Sequence, residues 1–317
     1  MKALYRQPVA RSIAVIHGGY LVYYLVWRAT STLNPDALGF SLALLAIEST
    51  ALLSFGLFAM MTWDVHHISP FRFRPGAVVD IYIPTYNEDV SILEATLVGC
   101  NTIRYPHTTY VLDDGRRAEV ETLAARLGCH YLTRANNAHA KAGNLNAALP
   151  RTSGEFIVVL DADTVPQPDF LDKTLGYFSD ERVALVQLPQ EFYNLDSVQH
   201  VGGTEFATPW HEQELFYRVI QPGKSRWNAS FWCGSPSVIR RTALESVGGV
   251  ATESITEDLQ TTLRLHARGW KTVYHNETLA YGIAAQTLHA FAVQRLRWAQ
   301  GTMQLLRSRD NPRCCPG

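Results

Sequence analysis

Two carboxylates one residue apart, Asp161 and Asp163, close the stretch FIVVLDADTVPQPDFL (156–171) directly after five apolar residues. Acids so placed either hold a cation or repel each other. Mg²⁺ or Mn²⁺ takes oxygen ligands and keeps positions open for phosphate oxygens. A D-x-D at a strand end therefore suits an ion that neutralises a diphosphate leaving group. The plainer reading is a turn ahead of Pro166 and Pro168. IPTYNED (83–89) offers Thr85, Tyr86 and Glu88 to hydrogen-bond and stack on a base, or is a polar loop with a helix cap. VLDDG (111–115) adds Asp113 and Asp114, or a simple D-G turn. NAHAKAGNLNAAL (137–149) brings Lys141 to a glycine-containing helix start, where a cation and free N–H groups suit a diphosphate. A solvated lysine explains it equally.

Two further stretches are open in the same way. In ITEDLQTTLRL (255–265), Thr256 is expected as an N-cap, with Glu257 and Asp258 favoured in the first turn by the helix dipole. The chemical alternative makes Asp258 a general base toward a hydroxyl. QRLRW (294–298) lies on an amphipathic stretch from Leu288 to Leu306. Trp298 and its apolar neighbours rest on a membrane surface, or Gln294 and Arg297 grip a pyrophosphate while Trp298 stacks on a sugar.

The elements that must position these groups are legible. From Val78 onward, VVDIYIP, TTYVLDD, HYLTR and EFIVVLDAD read as strands, and VSILEATLVGCN, AEVETLAARLG and AGNLNAAL as helices between them. Near-continuous Val/Ile/Leu runs indicate strands buried on both faces. Repeated strand–helix order predicts a doubly wound, Rossmann-like, mostly parallel α/β sheet, which binds ligands beyond the carboxyl ends of its strands. No G-x-G-x-x-G follows the first strand, so no dinucleotide fingerprint is present. PGKS (222–225) imitates the end of a phosphate loop, but position 218 is Arg rather than Gly and no strand precedes it.

Ahead of that sheet lie two apolar stretches, Ile13 to Trp27 and Leu38 to Trp63, the second interrupted only by Glu48. A membrane-crossing helix needs roughly 20 apolar residues. The second qualifies, and the first does so with Arg11 and Arg28 snorkelling. Glu48 is expected to face protein, because a lone carboxylate in hydrocarbon is costly. No small-residue cleavage site follows the first stretch, so no signal peptide is expected. Lys2, Arg6 and Arg11 before the first span and Arg72 and Arg74 after the second place both flanks in the cytoplasm. Asn228 and Asn276, both in N-x-S/T patterns, are then never glycosylated. With 28 Lys+Arg against 29 Asp+Glu, no basic surface for nucleic acid is expected. The five cysteines lack metal-ligand spacing and favour free thiols at Cys100, Cys129 and Cys233, while the adjacent Cys314 and Cys315 lie in a Pro/Gly-flanked tail whose role stays open.

Taken in order, PTYNE, DDG, HAKAGNLN, D-A-D, FWCGS, TED and QRLRW resemble the motif set of family 2 membrane glycosyltransferases, most closely bacterial cellulose synthase catalytic subunits. The resemblance runs from the second apolar stretch to about residue 307. It implies a GT-A fold, a UDP-glucose donor, Mg²⁺ (or Mn²⁺) and inversion at the anomeric carbon. Carried over by motif, Thr85, Tyr86, Glu88 and Asp113 hold uridine. Lys141 and Asp161 contact UDP, and Asp163 joins Asp161 at the metal. Asp258 is the base, Gln294 and Arg297 bind pyrophosphate, Trp298 meets the acceptor glucose, and Cys233 lines the acceptor site. The implied partners are a growing glucan or a lipid acceptor, the bilayer and accessory secretion subunits. The implied location is the bacterial inner membrane, multi-pass, with the catalytic domain in the cytoplasm. The expected division is a membrane region (1–74), a glycosyltransferase domain (75–286) and an interfacial helix with a tail (287–317). Relatives continue past QRLRW with more membrane helices, a gating segment and often a c-di-GMP-binding domain, and many carry His where this chain has Thr164. Two alternatives stand beside the polymer synthase. PQEFYNLDSVQH and HEQELFYRVIQPG are similar to stretches of glycolipid synthases, and a shortened chain would bind UDP-sugar without turnover. UDP-N-acetylglucosamine is the competing donor, since hyaluronan and chitin synthases share the motif set.

Overall fold

The computed structural model describes residues 7–65, 76–201 and 210–308. Lys2, Arg6, Arg72, Arg74, Cys314 and Cys315, used above, lie outside the described residues. Two long helices come first, α1 (Gln7–Ser31) and α2 (Leu38–Thr62), joined by a short 3-10 turn. Both are long and apolar enough to cross a membrane. Their outward faces expose Ile16, Tyr20, Phe40 and Ile47. The two pack together through the His17 and Phe55 rings, 4.7 Å apart. Arg28 Nε meets Glu48 Oε2 at 3.1 Å, so the carboxylate inside the apolar stretch faces protein as expected.

The α/β part follows as β1 (Val79–Thr85), α3 (Val90–Asn101), β2 (Thr108–Asp113), α4 (Ala118–Arg126), β3 (His130–Leu132), α5 (Ala140–Ala148) and β4 (Phe156–Val159). Then come β5 (Val165–Pro166), α6 (Phe170–Thr174), β6 (Val183–Gln187), β7 (His200–Val201), β8 (Trp210–His211), α7 (Gln221–Ser225), β9 (Ser237–Arg240) and α8 (Arg241–Ser246). The chain closes with α9 (Glu257–Ala267), β10 (Lys271–Tyr274), β11 (Ala280–Tyr281) and α10 (Leu288–Arg307). Seven strands make the main sheet in the order β10-β6-β9-β4-β1-β2-β3. β9 runs antiparallel to both β4 and β6, and the other pairs are parallel.

β4 and β6 are buried along their whole length, and β1 nearly so. The sheet therefore has a core on each face. Ile81, Ile83 and Val158 point into one core with Leu93, Leu97 and Phe170. Tyr82, Ile157 and Val159 point into the other with Leu145, Trp232 and Leu265. The period-2 side-chain alternation of strands distributes one apolar run between two layers. β1, β2 and β4 are parallel neighbours, so their carboxyl ends fall on one edge. That edge carries Thr85, Asp113 and the loop holding Asp161 and Asp163.

PGKS is not a phosphate loop here. It forms α7, and a Cβ on Gly223 would lie 2.1 Å from the Met61 carbonyl oxygen, so α7 abuts the end of α2. Asp64 just beyond α2 pairs with Arg11 Nη2 at 3.4 Å and Arg226 Nη1 at 2.6 Å, linking α1 to the α/β part. The Asn228 amide donates to the Trp270 carbonyl and that of Asn276 to the Arg218 carbonyl, so both sequons serve the fold. Cys100, Cys129 and Cys233 are free thiols.

Candidate active site

A cleft of about 450 Å³ opens at the shared strand edge, lined by Thr85, Tyr86, Glu88, Asp114, Lys141, Asp161 and Asp163 among others. At its first wall, Glu88 Oε2 accepts from Thr85 Oγ1 at 2.7 Å and from the Tyr86 N–H at 2.8 Å. Burial opposes the charge on Glu88, but these hydrogen bonds outweigh it and hold the carboxyl below its ordinary pKa. The Tyr86 ring is 57% exposed, open to stack on a ligand. Asp113 departs from expectation. It is fully buried, and its carboxylate accepts from Gly115 N, Arg117 N and the Tyr131 hydroxyl at 2.7–3.0 Å. Its neighbour Asp114 lines the cleft instead. Asp113 thus positions Arg117, which donates to Thr85 Oγ1 at 2.7 Å and to the Glu88 carbonyl at 2.6 Å.

Lys141 is held by a clamp that sequence spacing does not reveal. Arg134 makes two 2.6 Å bonds to the Asp114 carboxylate. The same guanidinium donates to the carbonyls of Ala138 (2.6 Å) and Ala140 (2.9 Å). Within this segment His139 and Ala140 adopt left-handed φ values of 61° and 43°, which non-glycine residues avoid without external support. The clamp supplies that support, and α5 begins at Ala140, two residues earlier than the sequence suggests. Lys141 Nζ then pairs with Asp161 Oδ1. Burial disfavours its charge, but Asp161, Glu257 and Asp258 outweigh that and raise its pKa.

Asp161 and Asp163 sit in the short loop between β4 and β5, and the Asp161 N–H donates to Ser235 Oγ at 2.9 Å. Burial and the Asp161 charge push the Asp163 carboxyl up to about 6. Two adjacent carboxylates, one already resisting ionisation beside an open cleft, are a donor set that a divalent cation fits. Thr164 donates to Asp163 Oδ1 at 3.3 Å.

The FWCGS turn crosses behind these groups. Trp232 is buried, with Nε1 donating to the Gly234 carbonyl and Ser237 Oγ, both at 2.8 Å. Gly234 has φ +85°, and a Cβ there would sit 3.3 Å from Lys141 Nζ and 3.6 Å from Asp258 Oδ2. A positive φ and this proximity both favour glycine. They also show Lys141 and Asp258 beside the same backbone turn. Asp258 Oδ1 accepts the Leu259 N–H at 2.7 Å. Burial, reinforced by Glu257, pushes its carboxyl up to about 7. Cys233 lies in the same turn with its N–H on Gln187 Oε1, and burial and then the Asp258 charge push its thiol up.

Thr256 occupies the N-cap position of α9 but makes no capping bond. Its Oγ1 is buried and without a hydrogen-bond partner. Packing has overridden the cap: a Cβ on Gly301 would lie 2.5 Å from Thr256 Cγ2, so α10 is pressed onto the TED segment. Gln304 Oε1 accepts the Ile255 N–H at 2.9 Å in the same contact. Docking α10 brings Gln294 to a small second cavity shared with Asp161, Asp163 and Glu191. Trp298 is 37% exposed, with the Arg295 guanidinium 4.4 Å from its ring centroid. Arg297 is exposed, and no hydrogen bond or ion pair fixes it among the described residues. Thus Gln294 shares a cavity with the acids, whereas Arg297 and Trp298 stand at the surface of the same helix.

A sequence profile described as "Glycosyltransferase like family 2" matches residues 75–301. The chain belongs to that family. It is 41% identical over 301 residues to a cellulose synthase catalytic subunit [UDP-forming] of Xanthomonas axonopodis pv. citri, covering 91% of this chain and 41% of that protein. A catalytic subunit from Komagataeibacter xylinus is 42% identical, over 91% of this chain and 40% of its own length. The chain thus spans about two fifths of these relatives. Among solved structures, a mannosyltransferase from Pyrobaculum calidifontis, in complex with GDP-Man and Mn²⁺, superposes with a TM-score of 0.64 at 20% identity, covering 83% of this chain and 73% of that one. That likeness supports the expected GT-A fold.

Proposed function

We propose that this family 2 protein is a membrane-bound inverting glycosyltransferase that moves glucose from UDP-glucose onto a growing β-glucan. The observation that carries this reading is the meeting of Lys141, Asp161 and Asp258 around Gly234. The relatives named cellulose synthase support glucan as product over a glycolipid.

In the proposed site, Tyr86 stacks on uracil, and Glu88 and Asp114 face the nucleoside, with Asp113 behind them as a support. Asp161 and Asp163 would hold Mg²⁺ or Mn²⁺, which when bound supplies positive charge against the diphosphate. Lys141 contributes a fixed cation to the same phosphates. Gln294 faces them from α10, and Arg297, exposed on the same helix, is assigned to the pyrophosphate by its motif alone. Asp258, with a pKa of about 7, takes the proton from the acceptor hydroxyl. The hydroxyl oxygen then attacks the anomeric carbon as its bond to UDP breaks, and UDP leaves with the electron pair. A single displacement inverts the centre. Trp298 and Cys233 are assigned to the acceptor sugar. The chain divides as membrane hairpin (1–74), transferase domain (75–286) and interfacial segment (287–317). The hairpin sits in the bacterial inner membrane with the catalytic domain in the cytoplasm, where accessory secretion subunits would join it. Apolar Leu288, Leu296, Met303 and Leu306 on α10 lie at the membrane surface.

The test is UDP release by the purified chain in detergent with Mg²⁺ and a panel of UDP-sugars, beside Asp258→Asn. Turnover with UDP-glucose, lost in the variant and yielding a cellulase-sensitive product, is expected. A lipid-extractable product would replace glucan by glycolipid, and UDP binding without turnover of any sugar would sink the transferase assignment for this chain.

A further inference from the structure

PQEFYNLDSVQH and HEQELFYRVIQPG play no part in the transfer chemistry above. The fold nevertheless brings them together beside the acids. Glu191 comes from the first stretch, His211 and Glu214 from the second. Their ligand atoms all lie within 4.8 Å of one another.

Glu191 and His211 are held in place by their neighbours. Arg218 Nη2 holds Glu191 Oε2 at 2.5 Å, with Thr278 Oγ1 at 3.5 Å. The other oxygen, Oε1, faces His211 Nε2 at 3.5 Å. His211 is 1% exposed, and its ring packs edge-on to Phe192 at 5.1 Å.

A second, independent observation points to a ligand. Gln199 is 1% exposed, and its Nε2 has no hydrogen-bond partner. It lines the small cavity that also exposes Glu191, while its Oε1 accepts from Gln213. His211 Nδ1 is likewise buried without a partner. Buried donors are seldom left orphaned unless an ion, a water on that ion or another ligand completes them.

We propose that Glu191, His211 and Glu214 form a second divalent-cation site, separate from Asp161 and Asp163, that takes Zn²⁺ or Mn²⁺ and ties the segment around Glu191 to the segment around His211. One imidazole nitrogen with two carboxylates selects a transition ion over Mg²⁺, which prefers all-oxygen shells. Bonds of roughly 2.0–2.2 Å require the three groups to close by about an ångström. Arg218 stays outside as the partner that orients Glu191.

The experiment uses the full chain in detergent, stripped with chelator and free of UDP, with Asp163→Asn to weaken the first site. Metal content is read after equilibrium dialysis against Zn²⁺ or Mn²⁺ alone. Asp163→Asn should retain one equivalent, and adding His211→Gln or Glu214→Gln should weaken it at least tenfold. The Mn²⁺ form of Asp163→Asn should show imidazole nitrogen coupling by pulsed EPR, a readout that does not depend on either added substitution folding. No bound equivalent in Asp163→Asn, unchanged binding in the double variants, or the absence of nitrogen coupling would each overturn the proposal.

Discussion

Burying Asp258 costs stability and supplies reactivity together. A carboxyl pushed up to about 7 is disfavoured as an anion in the folded chain. The folded state binds the proton more tightly than the unfolded one, so the penalty is absent below about pH 4 and complete above pH 7. Asp258→Asn should therefore melt higher than wild type at pH 8, by an amount that shrinks to nothing near pH 4. Melting curves of both proteins across that range check the sign. As a base, Asp258 must be deprotonated, so kcat should rise with pH through about 7. The variant should lose roughly 10²–10⁴-fold in kcat while retaining UDP affinity. A variant whose kcat stays within a few-fold of wild type would remove Asp258 from the base role. Arg134 makes a different kind of contribution. Its pair with Asp114 is largely buried, with side-chain exposures of 11% and 8%. Removing one partner of such a pair costs about 3–5 kcal/mol. Arg134→Met should lower the melting temperature and raise KM for the UDP-sugar more than it lowers kcat, because the clamp aims Lys141 without touching the reacting atoms. Steady-state kinetics that show kcat falling alone would contradict a positioning role.

Helix α10 acts as an element. It docks through Gly301 against Thr256 and through Gln304 against the Ile255 N–H. The contact replaces the N-cap that Thr256 would otherwise form, trading one hydrogen bond for close packing between α10 and the segment carrying Asp258. Gly301→Val must push the two apart. Overpacking of this kind costs about 1–3 kcal/mol. The expected result is a lower melting temperature and loss of activity with UDP binding through Tyr86 and Glu88 preserved, since those residues follow β1 and line a cleft to which α10 contributes no residue. Calorimetric titration with UDP separates the two effects. Loss of UDP affinity equal to the loss of activity would mean that the whole cleft depends on α10.

The molecule as a whole is joined at Asp64, where Arg11 of the first helix and Arg226 beyond α7 meet one carboxylate. Gly223 lets α7 approach the Met61 carbonyl at the same place. Asp64→Ala leaves two like charges facing each other and should loosen the hairpin from the α/β part. Limited proteolysis in detergent should then cut between the two regions faster than in wild type, and an unchanged cleavage rate would show that packing around Gly223 suffices. Glu48, by contrast, is held within the hairpin itself by Arg28.

The sequence by itself determined the two apolar helices, the strand–helix alternation and the residues at the strand ends. These follow from local apolar runs and from the strand-end chemistry of Asp161 and Asp163. Only the tertiary structure decided how those groups are used. β9 enters the sheet antiparallel, which the sequence does not reveal because a four-residue strand carries no sign of its direction. Asp114 rather than Asp113 faces the cleft because alternate residues of an extended chain point to opposite sides. Arg134, twenty residues from Asp114, looks like any solvated charge until the chain folds back on it. Glu191, His211 and Glu214 come together for the same reason: local patterns fix the elements, but long-range packing fixes which side chains share a space.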